Sequence, residues 1–237
     1  NRTICDAPGG VLLVDTPAGR YLKAAGVASL KDNRPMRTDD RMEIGSSTKS
    51  FAAVLALQLQ EEGVLSLDDP MSKWLPELAA QLPYGDQMTL RQLAGHTAGT
   101  GDYEAMLVSS AVANNDQAVL AQGITPEELV QYVIANGKPD FAPGAGWKYS
   151  NTNYILLGLA IEAAAGKPLD QLYQERIFDP LGMKNTSYLQ GSPEPGQIAD
   201  GYTTLPATGE LAEMTNWNAS QAGAAGAIVS TVEDMAR

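Results

Sequence analysis

Ser46 and Lys49 stand three residues apart in the string Ser46-Ser47-Thr48-Lys49, a spacing suited to nucleophilic chemistry. Positions three apart share one face of a helix, so the Lys49 amine would lie beside the Ser46 hydroxyl. A serine becomes a useful nucleophile when a neighbouring base takes its proton, and a helix start supplies N–H groups that stabilise negative charge. The alternative is an ordinary helix start with Lys49 in solvent, because S-x-x-K also arises by chance.

Tyr149-Ser150-Asn151 is a second candidate, placed after a Pro- and Gly-rich loop and before an apolar segment. A tyrosine beside a lysine can carry a proton to a leaving group. The Asn151 amide can donate to a substrate carbonyl and accept from a substrate N–H. Taken alone, the string also fits a surface tyrosine followed by a helix-capping asparagine.

The composition is that of a globular protein with an acidic surface. The 237 residues are 44% hydrophobic and 19% charged, with a net charge of −12. Such a charge argues against nucleic acid or an anionic membrane as a partner. No apolar run approaches the ~18 residues of a membrane span, and no signal-peptide pattern is present. The chain begins at Asn1 and not at Met, so we expect that its natural start has been removed.

Cys5 and His96 are the single cysteine and the single histidine of the chain. One cysteine cannot form an internal disulfide, and these two side chains cannot build a metal cluster of the His/Cys kind. We therefore expect neither a metal nor a cofactor. The sequence leaves the pairing of Cys5 open.

Hydrophobic periodicity and turn residues predict the elements that position these groups. Residues 10–30 predict a hairpin that turns at 16–19, and residues 46–63 predict a helix. Residues 125–137 and 152–166 predict two more helices, the first with a Thr/Glu capping box. The helix after Ser46 should bury one apolar face, formed by Phe51, Val54, Leu55 and Leu59.

The order of the elements predicts the fold class. A strand hairpin comes before a mostly helical middle, and the tail over 221–237 predicts a turn, a short strand and a helix start. Residues 190–212 have the composition of a loop, and residues 102–123 give no clear pattern. We therefore expect a mixed α/β (α+β) fold in which helices cover one sheet.

Five longer strings occur along the chain in this order: IGSSTKSF, LAGHTAG, APGAGWKYSNTNYILLG, DPLGMKNT and AGAAGAIVST. Together they resemble the serine β-lactamase and penicillin-binding family, in the branch of the class C β-lactamases and the secreted Streptomyces D-alanyl-D-alanine carboxypeptidase. The similarity covers the chain from about residue 11 to residue 237.

The resemblance implies a β-lactamase/transpeptidase-like fold, with an antiparallel sheet flanked by helices, a helical domain and an active site between them. It places residues 1–63 and 216–237 in the sheet domain and residues 64–215 in the helical one. Ser46 would be acylated, and its N–H would form half of the oxyanion hole. The implied roles of the other residues are general acid and base for Lys49 and Tyr149, substrate binding for Asn151 and Trp217, and structure for His96.

The sequence departs from the family pattern at its end. The family's third motif, Lys-Thr-Gly or His-x-Gly, lies on a strand downstream of the point where this sequence stops. The C-terminal part of the sheet is therefore absent from this chain, which would leave strand edges and an apolar face uncovered. We expect a second polypeptide that carries the C-terminal strands.

The leading functional hypothesis is a penicillin-sensitive D-alanyl-D-alanine carboxypeptidase, which acts on peptidoglycan stem peptides and is periplasmic or secreted. A class C-like β-lactamase, a small-ester esterase and a D-amino-acid amidase or aminopeptidase use the same apparatus, with β-lactams as substrates or inhibitors. The alternative of another class is a non-catalytic penicillin-binding-like module. A Ser-His-Asp hydrolase is disfavoured because no G-x-S-x-G elbow is present.

Overall fold

The computed structural model describes residues 7–237, so Cys5 and the question of its pairing lie outside the described residues. The strands are β1 (Gly9–Thr16), β2 (Gly19–Gly26), β3 (Met42–Glu43), β4 (Ser187–Tyr188), β5 (Tyr202–Thr204), β6 (Leu211–Glu213) and β7 (Ile228–Ser230). The helices are α1 (Thr48–Glu61), α2 (Pro76–Gln81), α3 (Leu90–Ala94), α4 (Ser109–Ala113), α5 (Gln117–Leu120), α6 (Pro126–Asn136), α7 (Asn151–Ala165), α8 (Leu169–Tyr173) and α9 (Asp179–Leu181).

Strands β1 and β2 form the predicted hairpin. They pair antiparallel from Gly9 opposite Gly26 to Thr16 opposite Gly19, with a two-residue loop between them. Gly26 has a φ of +78°, and a Cβ there would lie 2.2 Å from the carbonyl oxygen of Pro8. The backbone leaves the hairpin through a conformation that only glycine adopts easily.

Strand β7 is the centre of a three-stranded antiparallel sheet with the order β3-β7-β4. The β1–β2 hairpin is a separate sheet, and an open groove of about 690 Å³ lies between it and strands β3 and β7. The predicted mixed fold with antiparallel strands is confirmed. Strand β4 belongs to the segment expected to be mostly helical, and the division of the chain into two domains stays a prediction.

Helix α7 is the central helix of the core. Every residue from Asn151 to Ile161 is buried, because the helix is apolar on all sides and packs against α1, α3 and α6. It ends at Gly166, whose φ is +64°, as expected of a left-handed C-terminal glycine. The predicted helix over 152–166 is confirmed and begins one residue earlier, at Asn151.

Helix α6 begins with the predicted capping box. Thr125 Oγ1 accepts from the Glu128 N–H at 3.2 Å, and Glu128 Oε2 accepts from the Thr125 N–H at 2.8 Å. Helix α1 ends just before Gly63, as predicted, and buries Leu55 and Leu59. The prediction for Val54 was wrong, since 42% of it is exposed on the side of α1 away from the core.

Two segments without a predicted structure contain short elements. Within 190–212, strand β5 forms a hairpin with β6, and such three-residue strands are too short to show an alternating pattern. Within 102–123, a π-helical turn over Glu104–Val108 leads into α4 and α5. The wider π turn breaks the 3.6-residue period on which helix prediction depends.

Gln221 links the C-terminal part of the chain to the end of α5 and the residues that follow it. Its side chain is fully buried, and its Nε2 donates to the carbonyl oxygens of Val119 and Gln122, both at 2.7 Å. Its Oε1 accepts from the Trp217 indole N–H at 3.1 Å. A buried amide with these partners is costly to replace by an apolar side chain, because the hydrogen bonds are lost and nothing in the substituted side chain restores them.

Gln221→Leu is expected to lower the free energy of unfolding by about 1–3 kcal/mol, since it removes the donor to the Gln122 carbonyl oxygen and the acceptor of the Trp217 indole N–H. Urea unfolding followed by circular dichroism measures the change. Gln87→Leu is the matched control, because Gln87 is exposed and surface substitutions usually change stability by less than about 0.5 kcal/mol. Equal stability of the two variants would contradict the structural role of Gln221.

Candidate active site

Ser46 lies in a 3₁₀ turn, Gly45–Ser47, that leads directly into α1. Gly45 has a φ of +52°, a conformation that costs little only for glycine. Ser46 is exposed at this turn, while Thr48 and Lys49 behind it are buried. The sequence placed Ser46 at a helix start, and the structure puts its hydroxyl where a substrate can reach it.

Lys49 lies one turn further along α1 and is 6% exposed. Its Nζ lies 3.1 Å from Ser46 Oγ and 2.7 Å from both Asn151 Oδ1 and the carbonyl oxygen of Ala225. The Tyr149 ring lies 4.9 Å from the same nitrogen. Three acceptors and an aromatic ring fix Lys49 beside Ser46 Oγ, and the alternative interpretation of Lys49 as a solvent-facing side chain was wrong.

Tyr149 contacts Ser46 through its hydroxyl group. Its hydroxyl donates to Ser46 Oγ at 2.7 Å, and 39% of the side chain is exposed. The buried Lys49 and the accessible Tyr149 therefore converge on one oxygen. Ser46 Oγ therefore has two neighbours that carry an exchangeable proton, of which Tyr149 is the more exposed.

His96 supports the Tyr149 ring from behind. The two ring centroids are 4.5 Å apart, and His96 Nδ1 accepts from the Ser150 N–H at 3.3 Å. Burial lowers the pKa of His96, and the charge of Lys49 lowers it further. The buried imidazole holds the backbone beside Tyr149 through the Ser150 N–H, and the structural role expected of His96 stays a prediction.

Asn151 is the first residue of α7 and connects Lys49 to two carboxylates. Its Oδ1 accepts from Lys49, while its Nδ2 donates to Glu104 Oε2 and, at 3.5 Å, to Asp102 Oδ2. A carboxylate only accepts hydrogen bonds, so these partners fix which end of the amide faces Lys49. Burial raises the pKa of both acids.

Asp102 and Glu104 were missed by the sequence analysis. They stand two residues apart, in a segment without a clear pattern and more than forty residues from either motif. No local signal connects them to Asn151, because only the packing of the 102–104 segment against the start of α7 brings them together.

Trp217 does not join this cluster. Its indole N–H bonds to Gln221, and its ring packs against the hydrophobic core. Within the described part of the chain, no hydrogen bond connects Trp217 to Ser46 or Asn151. The substrate-binding role of Trp217 stays a prediction.

The described structure was also compared with what a membrane span, a metal site or a second ligand cavity would require. Over residues 7–237, no helix is long and apolar enough to cross a bilayer, and no group of three or more His, Cys, Asp or Glu side chains is placed to hold a metal ion. A cavity of about 360 Å³ lies between the start of α6, helix α7 and strand β4. Its lining contains none of the predicted site residues.

Comparison with known proteins places the site in a family. The sequence model described as Beta-lactamase matches residues 2–237. Esterase EstB of Burkholderia gladioli is 34% identical over 182 residues, which are 73% of this chain and 45% of the esterase. Penicillin-binding protein 4* of Bacillus subtilis is 32% identical over 199 residues, 84% of this chain and 40% of that protein.

The fold is also shared with solved structures. A D-stereospecific amidohydrolase from Streptomyces sp. matches with a TM-score of 0.83 and 34% identity, over 96% of this chain and 66% of the other. The chain spans less than half the length of the two curated relatives above. Because the family model covers nearly the whole sequence and the fold agrees, the chain belongs to the Beta-lactamase family.

Proposed function

We propose that the protein is a serine hydrolase that works through an acyl-enzyme on Ser46. The observation that carries the proposal is the convergence of Lys49 Nζ and Tyr149 Oη on Ser46 Oγ, at 3.1 and 2.7 Å. A surface serine has no need of two such neighbours, whereas a nucleophile needs a group to take its proton and a group to return it. The same convergence argues against a non-catalytic binding module.

The geometry supports a two-step reaction. In the first step, Ser46 Oγ attacks the substrate carbonyl carbon, its proton passes to the Tyr149–Lys49 pair, and the pair returns a proton to the leaving amine as the C–N bond breaks. In the second step, a water attacks the ester, the pair takes the water's proton and gives one back to Ser46 Oγ. Tyr149 is the direct partner of the leaving group, because Lys49 is buried behind it.

For the substrate, we propose an amide bond whose acyl part is a D-amino acid residue, a class that includes D-alanyl-D-alanine stem peptides. The similarity to the D-stereospecific amidohydrolase over 96% of this chain supports this class. Small esters are a second class, supported by the similarity to Esterase EstB, because an ester forms the same acyl-enzyme. A β-lactam would acylate Ser46 as well, and the similarity to penicillin-binding protein 4* supports that reaction.

Two further expectations depend on this function and stay proposals. A stem-peptide substrate would place the protein in the periplasm or outside the cell. The third motif, with its oxyanion N–H and its substrate-carboxylate contacts, would come from the second polypeptide expected from the sequence.

D-alanine p-nitroanilide is expected to be cleaved by the intact protein with a kcat/KM at least about tenfold above that of the L enantiomer, which corresponds to about 1.4 kcal/mol. The release of p-nitroaniline, followed by absorbance, measures both rates. Equal rates for the two enantiomers, or faster cleavage of the L form, would overturn the D preference. The acyl-serine mechanism is tested separately, through Ser46.

A further inference from the structure

The Asn151 side chain is hydrogen-bonded to two carboxyl groups and one ammonium group, which we call the Asn151 wall of the site. This wall therefore carries more acidic than basic groups. Asp102 and Glu104 both lie on it, and Lys49 is the one described cation whose charge lowers the pKa of either acid. Burial and the neighbouring Asp102 raise the pKa of Glu104, so a cation that arrives beside it would stabilise its ionised form. A substrate that brings a positive charge to this wall would balance the second carboxylate.

The carboxylates of Asp102 and Glu104 have different hydrogen-bond partners. Asp102 Oδ1 accepts from the backbone N–H groups of Asn151 and Glu104, at 3.1 and 3.3 Å, so Asp102 ties the two segments together. Glu104 uses Oε2 for the Asn151 amide. For its Oε1, the described residues provide no hydrogen bond or ion pair. Glu104 is half-buried. Its Oε1 is therefore a hydrogen-bond acceptor that is already partly desolvated.

We propose that Glu104 is a specificity-determining residue that binds the α-ammonium group of a substrate with a free amino group next to the scissile carbonyl. This inference rests on the proposed acyl-serine function of Ser46. In such a substrate the ammonium nitrogen is two bonds from the carbonyl carbon that Ser46 attacks. Glu104 is joined to Ser46 by three successive contacts, through Asn151 and Lys49.

A substrate ammonium group and the Glu104 carboxylate are chemically complementary. An ammonium group has three donors and no acceptor, which matches an acceptor-only carboxylate oxygen, and such charge-assisted bonds are about twice as strong as neutral ones. Partial burial strengthens the attraction. An N-acylated substrate loses both the charge and two of the donors. The preferred substrates are therefore amides of unblocked D-amino acids or peptides with an unblocked D-residue at the N-terminus. A D-alanyl-D-alanine stem peptide is disfavoured within the proposed class, because the amine of its penultimate residue is acylated.

The test compares D-alanine p-nitroanilide with N-acetyl-D-alanine p-nitroanilide, for the intact protein and its Glu104→Gln variant. For the wild type, kcat/KM is expected to be at least about tenfold higher with the free amine. Glu104→Gln should lower kcat/KM for the free amine by about 10- to 100-fold, mainly through KM, and leave the acetylated substrate within about threefold. Glutamine can still accept from the Asn151 amide, so this variant keeps that contact.

Glu77→Gln is the matched control, because Glu77 is exposed on α2, and it should keep the wild-type preference. An equal loss for both substrates would show that Glu104 acts only by positioning Asn151, and would overturn the inference. Ser46-dependent turnover without preference for the free amine would also overturn it, while the proposed function survives. Absence of any Ser46-dependent acylation would overturn the proposed function itself.

Discussion

Ser46→Ala is expected to abolish covalent labelling and to lower kcat by a factor on the order of 10⁴–10⁶, the size of effect seen when a serine hydrolase loses its nucleophile. The alanine has no oxygen to form the acyl ester, so Lys49 and Tyr149 have nothing to activate. Denatured intact mass, measured with and without benzylpenicillin and p-nitrophenyl acetate, should show one acyl group on the wild-type chain and none on the variant.

Ser47→Ala is the matched control for this experiment. Ser47 is the exposed neighbour of Ser46, and its side chain makes no capping hydrogen bond to α1. This variant should label and turn over like the wild type. An adduct that persists on the Ser46→Ala chain would show that another residue is the nucleophile. The same spectra would reveal a second polypeptide, if one accompanies the chain.

Lys49→Met is expected to lower kcat by about 10²–10⁴-fold, the usual contribution of a proton-transferring side chain. Methionine has a similar length and fills the buried space, but it cannot exchange a proton with Ser46 or donate to Asn151 Oδ1. Steady-state kinetics on a p-nitrophenyl ester measures the loss. Because Ser46 remains, slow labelling by the ester should persist, which separates this variant from Ser46→Ala.

Lys49→Met should also lower the free energy of unfolding by about 1–3 kcal/mol, because two buried acceptors lose their donor. Lys184→Met is the control, since Lys184 is exposed, and it should change neither the rate nor the stability. A Lys49→Met variant within tenfold of the wild-type kcat would contradict a proton-transfer role for Lys49.

The parts of the fold that could be predicted are those with strong local signals. Helix α6 has Thr125, Pro126 and Glu128 at its start, and helix α7 combines a long apolar run with a glycine stop. The short strands β3 and β4 have two residues each, and they exist only because β7 lies between them. Elements whose stability comes from such distant pairing leave no pattern in their own sequence.

The residues of the candidate site could also be predicted only in part. The helical spacing of Ser46 and Lys49 predicts their contact. Tyr149 is 103 residues from Ser46, so spacing cannot predict their contact. The family resemblance predicts it instead. Asp102 and Glu104 carry no such signal. Their contacts with Asn151 depend on how the 102–104 segment packs, which sequence periodicity does not specify.

The π-helical turn over Glu104–Val108 has an evolutionary consequence. A π turn contains one residue more than an α turn, so a single-residue deletion there would convert it into an α turn and reposition the side chains within it, Glu104 included. Ser46, Lys49 and Asn151 lie at the starts of α1 and α7, and that change would leave both helices intact. A one-codon deletion would therefore change the position of Glu104, while the residues that contact Ser46 Oγ keep their places.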